Sequence, residues 1–338
     1  MKTLLAISDP DLIQMFFQNP AVLKKLGTVS EYHWIKEMTP LSGSAGLAAV
    51  VEDYDAVLTS WGSPFFTDEV LAKASKLKFI GHLAGSATAI VNEQAFAKDM
   101  VVVTANNVLA RSTAESAVAL MMSAAWSLQP YSMRMKRGGW ANNSKETVLG
   151  LTGRTIGLIG YGEISRNVIG LLRGFPVQIK LASRYCSEEE ARELGVQLCS
   201  LDELLTTSEI ISLHSSLTPS TVGMIGRREL SLIQDGALFV NTARARIVDE
   251  ESLMNELRTG RFSAALDVFH QEPVPVNHEL HEMEHVLCTP HIGGFAGQCK
   301  RAFGDYIIDQ LIACIRGEEP DGNVTLEQFN RMTSNALA

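Results

Sequence analysis

None of the five cysteines (Cys186, Cys199, Cys288, Cys299 and Cys314) stands in a Cys-x-x-Cys pair, and their number is odd. That excludes a disulfide framework and a cysteine zinc site, and it fits a reducing, cytoplasmic setting. No uninterrupted apolar run is long enough to cross a bilayer. The opening Met1-Lys-Thr-Leu-Leu-Ala-Ile-Ser-Asp9 has too short an apolar core for an export signal and reads as a first strand. Positive charge is scarce: 29 Lys and Arg face 38 Asp and Glu, for a net charge of -9. The basic stretch Arg134-Met-Lys136-Arg137 is short and reads as a solvated helix face, so neither nucleic acid nor a membrane is expected as a partner. His278, His281 and His285 could share a helical face with Glu282. The crowding by Pro273, Pro275, Glu279 and Glu284 predicts instead a solvated loop or short helix, with no metal.

What the chain does have is length and apolar content: 338 residues, 46% hydrophobic, suit two cores rather than one. Short apolar runs at 4–7, 56–59, 79–83 and 101–104 predict strands, with helices over 11–26 and 68–75 between them. A helix over 112–127 would connect to a second alternation, after an irregular stretch at 130–149. Strands are predicted there at 155–159, 178–182, 210–214, 238–242 and 264–268, and a return helix at 296–315. This βαβ alternation defines an α/β fold class: two doubly wound parallel-sheet domains, Rossmann-like or flavodoxin-like.

The run Gly157-Leu-Ile-Gly160-Tyr161-Gly162-Glu163-Ile164-Ser165 lies where a strand passes into a helix. Gly160 permits a tight turn, Gly162 lets the backbone approach a pyrophosphate, and the helix offers free N–H groups to that anion. A dinucleotide is therefore the first ligand expected. In an open parallel sheet ligands bind beyond the carboxyl ends of the strands, which gathers Ser183, His214, Thr242 and Asp267 along one edge.

Four further segments close strands: Leu213-His214-Ser215-Ser216-Leu-Thr-Pro219, Val240-Asn-Thr242-Ala243-Arg244-Ala245, Ala265-Leu-Asp267-Val-Phe-His-Gln-Glu272-Pro273, and Thr289-Pro-His291-Ile-Gly293-Gly294. With the glycine run, in this order and spacing, they resemble the D-isomer-specific 2-hydroxyacid dehydrogenase family over nearly the whole chain. The departures are Ser165 for the last glycine of the fingerprint, Ser216 for a proline and Ala245 for a glycine. Reducing a 2-oxo acid needs a proton donor for the developing alkoxide and a cation for the carboxylate, besides a hydride donor. The resemblance implies that Arg244 clamps the carboxylate and carbonyl oxygen, that His291 gives the proton, and that Glu272 holds the imidazole and keeps it protonated until needed. It also implies that Asp267 meets the nicotinamide amide; the alternative reading of Asp267 is a capping residue. The glycine turn from Gly160 to Ile164, His214 with Ser215, Thr242 with Ala243, and Gly293 would complete the cofactor site.

The second strand of such a fold ordinarily ends in an acidic residue that binds the adenosine ribose. Here Ser183-Arg184 occupies that place. A hydroxyl and a guanidinium both suit a 2'-phosphate, so NADP is expected, with NAD as the alternative. The resemblance further implies a substrate-binding domain from 1–109 and 295–338 and a dinucleotide-binding domain from 110–294, with a cleft between them. It places Ala84, Gly85 and Ser86 at the substrate carboxylate and makes the 130–149 stretch a homodimer contact. Trp61, ending another strand of the first domain, reads either as a pocket wall or as a side chain packed under a turn. The activity implied is reduction of a small 2-oxo acid such as glyoxylate or hydroxypyruvate to the D-2-hydroxy acid. A nucleotide-sensing binding protein, resembling the family's co-repressors, is the rival reading. A methyltransferase would leave Arg244, Glu272 and His291 without a shared task.

Overall fold

The computed structural model describes residues 1–38, 43–98, 100–142, 145–294, 296–334 and 336–337. Contacts divide the chain into two compact units, Met1–Ala110 with Phe295–Ala336, and Arg111–Gly294 with Leu337–Ala338. Each holds a wholly parallel sheet between helices, the predicted class.

In the first unit the strands are β1 (Lys2–Leu5), β2 (Glu31–Trp34), β3 (Ala56–Thr59), β4 (Phe79–His82) and β5 (Val101–Thr104), in the order β2-β1-β3-β4-β5. Alternate residues feed two cores. Leu4, Val57, Ile80 and Val102 face one side, while Leu5, Leu58, Phe79 and Val103 meet Phe303 and Ile307 of the helix Gly297–Ile315 on the other. That helix lies so close that a Cβ on Gly81 would come within 2.5 Å of Ile307. β2 was not predicted: Glu31-Tyr-His-Trp34 is a half-exposed edge strand without an apolar run. The helix predicted over 11–26 is two helices, Pro10–Phe17 and Pro20–Gly27. Pro20 lacks the N–H that would continue the first, and Asn19 caps the second by accepting from the Ala21 N–H.

The second unit has seven strands: β6 (Thr155–Ile159), β7 (Gln178–Ala182), β8 (Gln197–Leu198), β9 (Ile210–Leu213), β10 (Leu238–Asn241), β11 (Ser263–Leu266) and β12 (Val286–Cys288). Their order, β12-β11-β10-β9-β6-β7-β8, reverses at β6 and β9, the switch point beyond which such sheets bind ligands. β8 and β12, of two and three residues, are too short to carry a sequence period. The helix expected from 112 begins at Asn106 and runs to Ala125. The stretch at 130–149 is not irregular throughout, because Leu128–Lys136 is helical; Pro130 sits in its first turn, where a missing N–H is harmless. Among the described residues no helix is long and apolar enough to cross a membrane.

Candidate active site

β6 ends at Ile159, and Gly160 follows with φ 98°. A side chain there would be strained and its Cβ would lie 2.7 Å from the Ser215 N and 2.8 Å from its Cα, so only glycine fits. At Gly162, just before the helix Glu163–Leu172, a Cβ would meet nothing within 4 Å. Space is therefore open in front of the helix N-terminus. Ser165 is fully buried and its hydroxyl donates to the Gly160 carbonyl at 2.7 Å, tying the turn to the helix that follows. Tyr161 donates from its hydroxyl to Glu190 at 3.4 Å and carries the Arg166 guanidinium 4.5 Å from its ring centre. Glu163 and Ile164 open the helix.

Around this turn lie buried polar atoms without a partner among the described residues: both ring nitrogens of His214, after β9, and the Thr242 hydroxyl, after β10. Burial pulls the His214 imidazole down to about 4, so it is neutral near pH 7. Ser215 lies against Gly160 and its hydroxyl donates to the Ile159 carbonyl at 3.3 Å. Ser183 follows β7 and its Oγ accepts from the Tyr185 N–H at 3.1 Å. Arg184 stacks on the Tyr185 ring at 5.4 Å and has no ion pair among the described residues.

The loop leaving β11 carries two carboxylates. Glu272 Oε2 accepts from the His291 Nδ1–H at 2.7 Å, and its Oε1 accepts from the Phe269 N–H at 2.9 Å. Both side chains of the pair are partly exposed, and His291 Nε2 has no partner among the described residues. Arg244 follows β10, with its Nη1 donating to the Ala243 carbonyl at 2.7 Å. Burial lowers the Arg244 guanidinium from its ordinary value, and the Glu272 carboxylate acts against that shift. Glu272 is thus in contact with the imidazole and within electrostatic reach of the guanidinium. Asp267 is 1% exposed; its carboxylate accepts from the Thr289 hydroxyl and from the Ile292 and Gly293 N–H groups.

Asn241 was not singled out from the sequence. Its Oδ1 accepts from the Ala243 N–H at 3.0 Å and its Nδ2 donates to the Arg244 carbonyl at 3.3 Å, so it shapes the turn that presents Arg244. A polar residue closing an apolar strand was the available signal.

In the first unit Trp61 follows β3, is 40% exposed, and packs near Phe16 and Phe303 with the Lys300 ammonium 5.6 Å from a ring centre. Ala84, Gly85 and Ser86 follow β4. A Cβ on Gly85 would come within 2.9 Å of Leu109, and the Ser86 and Thr88 hydroxyls donate to the Thr333 carbonyl at 3.0 and 2.6 Å. The Gly85 and Ser86 N–H groups are in no hydrogen bond among the described residues. The three histidines weighed as metal ligands have separate partners: His281 the Pro275 carbonyl, His285 the Leu257 carbonyl, and His278 the Leu280 N–H.

Residues 118–293 match the family model described as "D-isomer specific 2-hydroxyacid dehydrogenase, NAD binding domain". A D-3-phosphoglycerate dehydrogenase of Methanocaldococcus jannaschii is 33% identical over 82% of this chain and 52% of its own length, so the chain spans about half of that relative. A glyoxylate reductase of Korarchaeum cryptofilum is 32% identical over 82% of this chain and 84% of its own. The crystal structure of a glyoxylate reductase from Paecilomyes thermophila superposes with a TM-score of 0.76 at 25% identity, covering 96% of this chain and 98% of that one. The chain belongs to the D-isomer specific 2-hydroxyacid dehydrogenase family.

Proposed function

We propose that the protein reduces a small 2-oxo acid, such as glyoxylate or hydroxypyruvate, to the D-2-hydroxy acid, with NADPH preferred over NADH. The observation that carries this reading is the Glu272–His291 contact at 2.7 Å with the half-buried Arg244 guanidinium in electrostatic reach of Glu272. Arg244 binds the substrate carboxylate and carbonyl oxygen, fixing the carbonyl carbon. His291 donates the Nε2 proton to the oxygen as it gains charge, while Glu272 holds Nδ1–H and fixes the orientation of the ring. The Gly85 and Ser86 N–H groups are donors suited to a carboxylate.

The residues fit a nicotinamide dinucleotide, which when bound supplies the hydride. The open space before Gly162 suits a pyrophosphate, and the unpartnered atoms of His214 and Thr242 suit the polar nucleotide. The turn from Gly160 to Ile164, Ser215, Ala243 and Gly293 line the same carboxyl edge of the sheet. Arg184, free of ion pairs among the described residues and beside the Ser183 hydroxyl, supports a 2'-phosphate there.

The helix Leu128–Lys136 and its surroundings leave Trp126, Leu128, Met133, Met135 and Trp140 between 40% and 79% exposed, beside a cavity of about 760 Å³ bordered by Tyr131, Met283 and Val286. An apolar surface of this kind supports a homodimer. The test of the catalytic reading is kcat/KM for glyoxylate, hydroxypyruvate, pyruvate, 2-oxoisocaproate and phenylpyruvate with each reduced cofactor. Turnover with NADPH well above NADH is expected. A clear NADH preference removes the role given to Arg184, and no oxidation of either cofactor removes the reaction.

A further inference from the structure

After the helix Gly297–Ile315 the chain of the first unit returns to the sheet beside its edge strand β5. The Val324 N–H donates to the Val102 carbonyl at 2.8 Å, and Asn323 forms an antiparallel bridge with Val103. Thr325 then caps a short helix, Leu326–Phe329, its hydroxyl accepting from the Gln328 N–H at 3.1 Å. That helix is pinned to the core: Phe329 is 8% exposed with its ring centre 5.0 Å from that of Phe96, and Met332 packs against the same cluster. One residue later, the Thr333 carbonyl accepts from the Thr88 hydroxyl at 2.6 Å and from the Ser86 hydroxyl at 3.0 Å. The two hydroxyl oxygens are themselves 3.0 Å apart, so three oxygens close into one small cluster.

Those hydroxyls belong to the loop that leaves β4, whose Gly85 and Ser86 N–H groups are in no hydrogen bond among the described residues. N–H groups kept for an anion cannot also hold their own loop in place, so its anchorage must come from other groups. Ser86 has φ -115° and ψ 123°, an extended conformation open to any residue, so its side chain adds a hydroxyl without strain. We propose that the segment from Val324 to Thr333 is a brace for this loop. Thr88 and Ser86 are then positioning residues for the substrate carboxylate, acting through the Thr333 carbonyl. The carboxylate keeps its charge in both the oxo acid and the transition state, so the brace supports binding in both and acts on KM rather than on kcat. The inference rests on the reading of the Gly85 and Ser86 N–H groups given above.

Two variants of the full chain test it, both at Thr88, which has no part in the chemistry itself. Thr88→Val keeps the side chain's shape and removes the hydroxyl, whereas Thr88→Ser keeps the hydroxyl. Thr88→Val should raise KM for the oxo acid about three- to tenfold, the weight of one hydrogen bond. Its kcat and its KM for the reduced cofactor should stay within about twofold of wild type. Thr88→Ser should bring KM for the oxo acid back to within about twofold of wild type. A hydroxyl that only stabilised the fold would lower the melting temperature without this split. An unchanged KM in Thr88→Val overturns the inference. So does a Thr88→Ser chain that behaves like Thr88→Val, or a cofactor KM that rises in step with that for the oxo acid. Should the wild-type chain reduce no 2-oxo acid, the proposed reaction fails separately. Amide exchange at Ile90 and Val91, whose N–H groups donate to the Ala87 carbonyl, then decides the brace. Faster exchange in Thr88→Val than in Thr88→Ser supports it, and equal protection in the two overturns it.

Discussion

A histidine whose Nδ1 is held by a carboxylate and whose Nε2 faces outward can release a proton in one direction only. Removing the imidazole therefore removes the proposed proton donor without touching the glycine turn. His291→Ala should lower kcat by about 10²- to 10⁴-fold while fluorescence titration shows cofactor affinity unchanged; a parallel loss of affinity would contradict the assignment. Arg244 offers a planar fork in a desolvated setting, which an ammonium does not reproduce. Arg244→Lys should raise KM for the oxo acid by about ten- to a hundredfold, the scale of one or two charge-assisted hydrogen bonds, as steady-state kinetics will show. At this scale the sequence exposed the residue types but not their bonds. His, Glu and Arg were legible because they ended strands in a recognisable order. That Asp267 binds its neighbours' backbone, and that Asn241 braces the turn before Arg244, depends on a few ångströms of loop geometry no residue pattern encodes.

The glycine turn behaves as a unit of strand end, bend and helix start. Gly160→Ala would force a Cβ into a left-handed position against the backbone of Ser215, where nothing can yield cheaply. Lower thermal stability and loss of measurable cofactor binding are expected together. Ser165→Ala makes a gentler change: it deletes the bond to the Gly160 carbonyl at 2.7 Å and leaves the buried contact surface nearly intact. The cofactor KM should rise severalfold with kcat preserved; equal kinetics in the variant would show that the hydroxyl only fills space. Elements with continuous apolar runs, such as β3, β6 and β10, were found within a residue of their ends. Those missed, β2, β8 and β12, are short or half-exposed and owe their form to pairing with β1, β7 and β11. The long helix predicted across 19 and 20 failed because the proline's effect on its neighbours outweighs the apolar period around it.

For the molecule as a whole, each unit buries one neutral histidine at the carboxyl end of its sheet. Burial pulls His82 down to about 3 and His214 to about 4, both below an unfolded value near 6.5. The unfolded chain then binds more protons than the folded one in acid, so this stability is complete above pH 6.5 and is lost as pH falls toward the folded values. At pH 5 each histidine should have withdrawn about 2 kcal/mol relative to pH 7.5. Denaturant melts at the two pH values should show the loss, and a His82→Asn chain should lose correspondingly less; an identical slope in the variant would refute the attribution. The proposed dimer is tested by light scattering at micromolar concentration, where Trp140→Glu paired with Leu128→Glu should convert it to monomer.

Alternation of apolar runs, the glycine spacing and the order of the strand-closing segments were enough to determine the α/β class and the family, and they supplied the residues of the proposed site. Those properties arise from local periodicity and from contacts the chain makes with its near neighbours. The tertiary structure alone decided which carboxylate grips a backbone and which grips a ring. It also decided that Ser165 replaces a glycine with a bond, and that two histidines lie where a proton is costly. These outcomes depend on where loops and strand ends place groups in three dimensions, on their separation and on their burial, and sequence order carries no measure of either.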